Sequence, residues 1–264
     1  MGRIIVFTSG KGGVGKTTVC AGVGAAIAVT GKYVVMVDAD IGLNNLDMLM
    51  GIENKVTYDM IDVMEGKCRL KQAIINDMYI PTLSVLPSSH AFNSNAVSTE
   101  NFRKLVNKLS EYYDYVFIDC PAGIENGFHR AVSTSDEAII VTTPHTSAIR
   151  DADKVISLLS GYEKSIIGMI INRMRGDLIL RGEMIGVNEM GRLLKCRILG
   201  VVPDDDDLVL YSQLGRILEL DTKAGLSFRM IARNILTGSK HIYDCTEEYR
   251  GFLGKIRMRV RRDS

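Results

Sequence analysis

Gly10, Gly15, Lys16 and Thr17 stand at the spacing G-x-x-x-x-G-K-[ST], a pattern whose chemistry is the holding of a phosphate chain. Glycines there let backbone N–H groups curl around a β-phosphate, the lysine reaches the β and γ oxygens, and the Thr17 hydroxyl is a ligand for Mg²⁺. Every residue of the loop becomes a candidate nucleotide contact: Gly10, Lys11, Gly12, Gly13, Val14, Gly15, Lys16, Thr17 and Thr18. One of them, Lys11, is a second lysine that the pattern does not require.

Acidic residues recur where a phosphate-bound metal would need them. VVMVDADIGLNNLD carries Asp38 and Asp40 two positions apart. Side chains alternate along extended chain, so both acids can face one side. One could then hold a water of the Mg²⁺ shell while the other orients an attacking water; a polar strand end would explain the same spacing. In YVFIDCPAG an apolar run ends in Asp119, a Walker-B arrangement that sets a carboxylate beside the metal and Gly123 near a γ-phosphate. Asn172 ends the run GMIIN and has the donor and acceptor that an adenine edge needs, although a turn or helix-capping role fits it equally. Asp205 to Asp207 read as the cap of a following helix. Cys120 reads as a small buried residue rather than a nucleophile.

These residues need strands to carry them. Runs rich in Val and Ile recur at 4–7, 34–37, 83–86, 115–118, 138–141, 166–171 and 198–202. Continuous apolar runs of that length suit strands buried on both faces. Helical patterns are expected between most of them, at 17–28, 100–112, 148–159 and 183–194, with a last core helix over 227–236. The expected fold is α/β: a doubly wound, mainly parallel β-sheet flanked by helices, with ligands at the carboxyl ends of the strands. Candidate residues near 11, 40, 119, 172 and 204 span the chain, which calls for one continuous sheet, so residues 1–237 form one expected domain.

The net charge of +1 gives no general attraction to nucleic acid or membrane, so any such binding must be local. Five cysteines without a C-x-x-C pair argue against a zinc ribbon or a disulfide framework and suit reduced thiols in a cytosolic protein. The chain passes from its first strand straight into the phosphate loop, so no removable signal peptide is expected.

Past an expected linker over 238–248 the pattern changes. Wound as a helix, residues 249–264 place Tyr249, Phe252, Leu253, Ile256 and Val260 on one face, with Arg250, Lys255 and further arginines outside it. This pattern suits an amphipathic tail that lies on an anionic membrane, with Phe252, Leu253, Ile256 and Val260 entering and Arg250 and Lys255 flanking, although a core or coiled-coil helix would show the same stripe.

The loop K-G-G-V-G-K-T-T with its added lysine, the D-A-D-x-G-x-x-N-L-D segment, the ending D-x-P-A-G-I-E from Asp119 and I-N-R at 171–173 together resemble the deviant Walker A ATPases, the ParA–MinD family of P-loop proteins. The likeness runs the length of the chain, tail included, and points to the septum-placing branch. It implies ATP and Mg²⁺ as cofactors and a homodimer in the ATP state, with two nucleotides sandwiched face to face. Lys11 would cross to the partner's nucleotide, Thr17 would ligate Mg²⁺, Asp38 and Asp119 would act through its water shell, and Asp40 would orient the attacking water. Asn172, Arg173, Pro203 and Asp204 would border adenine. In SAIRDADKV, Arg150, Asp151 and Asp153 would meet a MinC-like division inhibitor or the partner subunit. A topological regulator such as MinE and residence in the cytoplasm, peripheral on the inner face of the cell membrane in the ATP state, are also implied. A flagellar-placement ATPase of the same family would share every catalytic residue. A DNA-partition ATPase would want a basic surface on the domain, whereas the excess basic charge here sits in a tail with an apolar face. Two departures are visible: the tail carries more arginine than the family pattern needs, and 215–220 lacks the expected Gly-Glu-Pro-like motif.

Overall fold

The structure is a computed structural model, and it describes residues 1–89, 97–215, 217, 221–252, 254 and 258. Among these, eight strands form one sheet: β1 (Arg3–Thr8), β2 (Val34–Asp38), β3 (Ile75–Asn76), β4 (Leu83–Leu86), β5 (Tyr115–Asp119), β6 (Glu137–Thr142), β7 (Ser165–Met174) and β8 (Ile198–Pro203). Their order is β3-β4-β2-β5-β1-β6-β7-β8, with every pairing parallel except that of the two-residue edge strand β3. The seven expected runs are all strands, and the doubly wound α/β fold is the one observed. β3 went unread because two residues carry no periodicity.

Helices α1 (Lys16–Ala28), α2 (Asn45–Leu49), α3 (Met60–Met64), α4 (Leu70–Ala73), α5 (Thr99–Ser110), α6 (Asn126–Thr134), α7 (Thr146–Gly161), α8 (Gly176–Leu180) and α9 (Val187–Leu194) connect the strands, and α10 (Asp206–Gln213) and α11 (Lys223–Thr237) follow β8. The helix expected over 183–194 begins only at Val187, because Gly182 takes a φ of +74° and Gly186 stands before the first turn. Among the described residues, no helix is long and apolar enough to cross a membrane.

Alternation along β1 divides the core. Ile5 and Phe7 pack beneath α1 and α11 on one face, and Ile4 and Val6 beneath α5, α6, α7 and α9 on the other. The small-residue run of α1 now has a reason: the helix packs closely on the sheet and on α11, its neighbour on the same face. A Cβ at Gly22 would stand 2.4 Å from the Phe228 ring. The close approach of α11 to α1 leaves no room for a side chain at Gly22, which offsets a helix cost of about 1 kcal/mol relative to alanine.

The stretch 238–248, expected as a linker, is packed on the domain. Cys245 and Thr246 are buried, and a Cβ on Gly176 would collide with the Cys245 carbonyl. Lys223 Nζ pairs with Glu248 at 2.7 Å. Tyr249, expected on the apolar face of the tail, is only 4% exposed, so this ring belongs to the domain surface. Arg250, expected to flank lipid, pairs with Asp244 at 2.9 Å. Phe252 is 81% exposed. Leu253, Lys255, Ile256 and Val260 lie outside the described residues.

Candidate active site

The phosphate loop leaves β1 at the point where the strand order reverses, since β2 and β5 lie to one side of β1 and β6 to β8 to the other. Ligands of open α/β sheets bind in that crevice. Gly13 and Gly15 take φ of +79° and +82°, a left-handed conformation that side chains resist. Gly15 is also the N-cap of α1, whose first turn holds no acidic residue. The helix therefore presents free N–H groups and its positive dipole end to an anion.

A cavity of about 390 Å³ opens above this loop, walled by residues 11–18 together with Asp40, Leu43, Asn45, Leu49, Ala122 and Arg173. Lys16 reaches its floor. Its Nζ lies 2.6 Å from Asp119 Oδ1, and both side chains are buried. Burial works against the ammonium charge, but the Asp119 charge and hydrogen bond outweigh it and hold the Lys16 pKa above its ordinary value. The second carboxylate oxygen, Asp119 Oδ2, is buried without a hydrogen-bond partner. An unsatisfied buried acceptor of this kind costs about 1–3 kcal/mol, more when charged. It is the feature a hydrated Mg²⁺ beside the phosphates would satisfy, with Thr17 in the first turn of α1 as direct ligand. The residues present fit both ATP and Mg²⁺.

Register sets Asp38 directly opposite Asp119 on neighbouring strands. Burial, and then the Asp119 charge, push the Asp38 carboxyl well above the usual range. Both Asp38 oxygens accept backbone N–H groups, from Asp40 at 2.9 Å and Leu46 at 3.4 Å. Asp38 thus shapes the loop that carries Asp40 and α2. Asp40 is the acid that reaches the cavity, its own pKa raised by burial, lowered in part by Lys16 and raised again by Asp119. Spacing put the two acids on one side; of the two, Asp40 lines the cavity and Asp38 accepts from the backbone. Cys120 is fully buried and its thiol is pushed up to about 12 by burial, which suits a core residue.

Lys11 stands at the cavity wall with its ammonium turned towards α7. It is exposed, and its Nζ lies 3.5 Å from Ser147 Oγ at the start of α7. Gly10 permits that neighbourhood, since a Cβ there would meet the Asp151 carbonyl at 2.3 Å. Asp151 pairs with Lys154, while Arg150 and Asp153 help line a separate cavity of about 640 Å³ with Leu178, Met184 and Ile185.

Asn172, expected at the adenine edge, is used differently in this conformation. Its Nδ2 donates to the Val14 carbonyl at 2.8 Å, and a Cβ on Gly15 would strike that same amide. It braces the phosphate loop from below. Arg173 does line the cavity, with an unusual φ of +57°, the kind of strain that gathers at functional sites. Pro203 and Asp204 stand behind it, the Asp204 N–H donating to Met174, and are not among the cavity walls. Gly123 follows Ala122 with a φ of +85°. Ser9, Leu43, Asn45, Leu49 and Ala122 were not singled out in the sequence. Asn45 had a signal, lying between the acid pair and Asp47.

The chain resembles known proteins over nearly its whole length. The AAA domain family matches residues 2–169. The septum site-determining protein MinD of Bacillus subtilis is 43% identical over 261 residues, covering 97% of each chain. The chain belongs to the MinD family. It is thereby a nucleotide-binding ATPase of septum site determination. Among solved MinD structures, the MinC:MinD complex of Aquifex aeolicus aligns with a TM-score of 0.83 and 40% identity, over 90% of this chain and 97% of that one. MinD of Pyrococcus horikoshii complexed with Mg-ADP aligns with a TM-score of 0.81 and 29% identity, over 91% and 99%.

One buried acid lies outside this chemistry. Asp47 is 1% exposed and neither carboxylate oxygen has a hydrogen-bond partner. Burial, then Glu53 and Asp59, raise its pKa from 3.8 to about 7. A raised carboxyl pKa means that the folded state holds the proton longer than the unfolded one, so stability falls as pH rises between these two values. At about 1.4 kcal/mol per pKa unit the full deficit, present above pH 7, is at most about 4.5 kcal/mol. Asp47→Asn is expected to raise thermal stability at pH 8 and to lose that advantage on acidification towards pH 4. Melting curves across pH check this, and a pH-independent difference contradicts it.

Proposed function

We propose that the protein is a Mg²⁺-dependent ATPase that dimerises on ATP, attaches to anionic membrane through its C-terminal tail, and recruits a MinC-like division inhibitor to place the septum. The observation that carries the proposal is the pairing of roles around one loop: Lys16 lies buried on Asp119, while Lys11 is exposed and turned to α7. A lysine so placed serves a nucleotide held by a second subunit better than its own, in the manner of an arginine finger supplied in trans. ATP is the substrate, Thr17 would ligate Mg²⁺ with Asp38 and Asp119 acting through its water shell, and Arg173 would border the base together with the Pro203–Asp204 segment.

When bound, Mg²⁺ neutralises charge developing on the phosphates. The chain's own residues do the rest. Backbone N–H groups of residues 12–17 hold the phosphate chain, Lys16 exchanges Asp119 for the β and γ oxygens, Asp40 orients the attacking water, and Gly123 brings an N–H near the γ-phosphate. The groove beside Arg150 and Asp153 is the proposed seat of the MinC-like partner, in accord with the MinC:MinD complex among its structural relatives. A MinE-like regulator is the natural counterpart of such an inhibitor.

For the tail, each glycine costs about 1 kcal/mol of helix stability, and basic residues near an anionic surface add about 1 kcal/mol each. One tail binds weakly. Two on a dimer gain avidity of about 10²–10⁴, so attachment follows the nucleotide state. Because Tyr249 is buried and Arg250 pairs with Asp244, the informative truncation ends after Arg250. That variant is expected to keep ATPase folding and dimerisation and to lose co-sedimentation with anionic vesicles in ATP; Ile256→Glu is expected to do nearly the same. Undiminished sedimentation of either variant, or equal binding of the intact protein in ADP, contradicts the anchor.

A further inference from the structure

At the end of the sheet away from the phosphate loop lies a second cavity, of about 480 Å³. Tyr33 on its wall stands immediately before β2, and Asp38 ends that strand; Tyr113 precedes β5, and Asp119 ends it. Strands of five residues separate the two sites by about 17 Å at about 3.4 Å per residue. The cavity is therefore no part of the nucleotide cleft.

Its walls combine three tyrosines, Tyr33, Tyr112 and Tyr113, with the aliphatic surfaces of Leu70, Ile74 and Pro81. The floor is polar where the core would otherwise be continuous. Ser84 interrupts the apolar strand Leu83–Leu86, is 3% exposed, and donates to Asn76 Oδ1 at 2.9 Å across the antiparallel pair. Arg69, Lys71 and Lys108 also line it, and among the described residues no acid does. The neighbouring acids are already engaged. Glu111 pairs with Lys108 at 2.5 Å, Asp114 accepts from the Tyr33 N–H at 2.9 Å, and Asp77 accepts from the N–H groups of Tyr79 and Ile80 at 2.8 Å. Arg69 and Lys71 have no ion pair among the described residues. Lys108 lies 5.3 Å from the Tyr112 ring centre, so one face of that ring already accepts a cation.

We infer that this cavity is a binding site for a small aromatic anion, with the ring held among Tyr33, Tyr112 and Tyr113 and the carboxylate met by Arg69 and Lys71. The volume is within the range of about 300–1,000 Å³ usual for small-molecule sites, which join apolar and aromatic walls to a few placed polar groups. Offset and edge-on ring contacts favour an aromatic ligand. Arginine's planar fork favours a carboxylate. The two unpaired cations select an anion over a neutral ring.

The test uses the full-length protein and 2-naphthoate, with neutral 2-naphthamide as control, measured by equilibrium dialysis and by ligand-observed NMR. The expected result is one naphthoate per chain, with the amide bound about tenfold more weakly or worse, as follows from loss of a charge-assisted hydrogen bond. The double variant Arg69→Glu with Lys71→Glu changes only exposed side chains and is expected to lose naphthoate by a similar factor while keeping its ATPase rate and melting temperature. Ser84→Leu, which fills the cavity from its floor, is expected to abolish binding. Saturating ADP leaves naphthoate in place. The inference is overturned if the anion and the amide bind alike, if the charge-reversed protein binds naphthoate as well as the parent, if ADP displaces it, or if no binding is seen at millimolar naphthoate.

Discussion

Lys11→Ala is expected to abolish ATP hydrolysis and ATP-dependent dimerisation while nucleotide binding persists. The phosphate cradle does not depend on Lys11: the helix N-terminus, the left-handed glycines and Lys16 all remain. What is lost is a cation presented from the outer edge of the loop, exposed and turned towards α7. Cations supplied in trans are worth about 10³–10⁵ in the rate of phosphoryl transfer to water, so the fall in turnover is expected to be at least about 10³-fold. Fluorescent ATP titration separates this from a binding defect, and light scattering reads the dimer. A monomeric Lys11→Ala variant with parent turnover contradicts the assignment.

Asp40→Ala is expected to produce the complementary defect: ATP binds, the dimer forms, and it persists because the γ-phosphate stays in place. Asp40 reaches the cavity, whereas both oxygens of Asp38 are occupied by the backbone of the loop it shapes. Removal of a residue that orients or deprotonates water costs about 10²–10⁴ in rate. Single-turnover hydrolysis is the measurement. A parent-like rate would make Asp40 a strand-end residue and move the role elsewhere.

The sheet was legible because its strands are buried on both faces and read as continuous apolar runs, as at Val34–Val37 and Ile198–Val202. The phosphate loop was legible because glycine, lysine and threonine at that spacing have few other uses. Contacts made by the same residue types were not. Asn172 has one amide, and sequence cannot say whether it meets a base or the Val14 carbonyl. Asp38 and Asp40 alternate identically in extended chain, yet a turn at residue 40 folds the backbone onto one of them. Tyr249 fits an amphipathic stripe and a domain surface equally well, and only the docked segment 238–248 decides between them. α6 escaped notice because Gly127 and the β-branched end Val132–Thr134 blur a pattern whose apolar positions, Phe128, Ala131 and Val132, are few.

Each ATP is hydrolysed with a lysine from the other subunit on this reading, and joining two inactive variants tests it most directly. In a dimer of a Lys11→Ala chain and an Asp40→Ala chain, the site on the Lys11→Ala chain keeps its own Asp40 and receives Lys11 from its partner. With the two chains fused through a flexible linker, so that pairing no longer depends on the dimerisation that Lys11→Ala removes, roughly half the parent ATPase rate per fused pair is expected, since one of its two sites is complete. If Lys11 served its own nucleotide, neither site would be complete, and a fused pair as inactive as the two single variants would contradict a lysine supplied in trans.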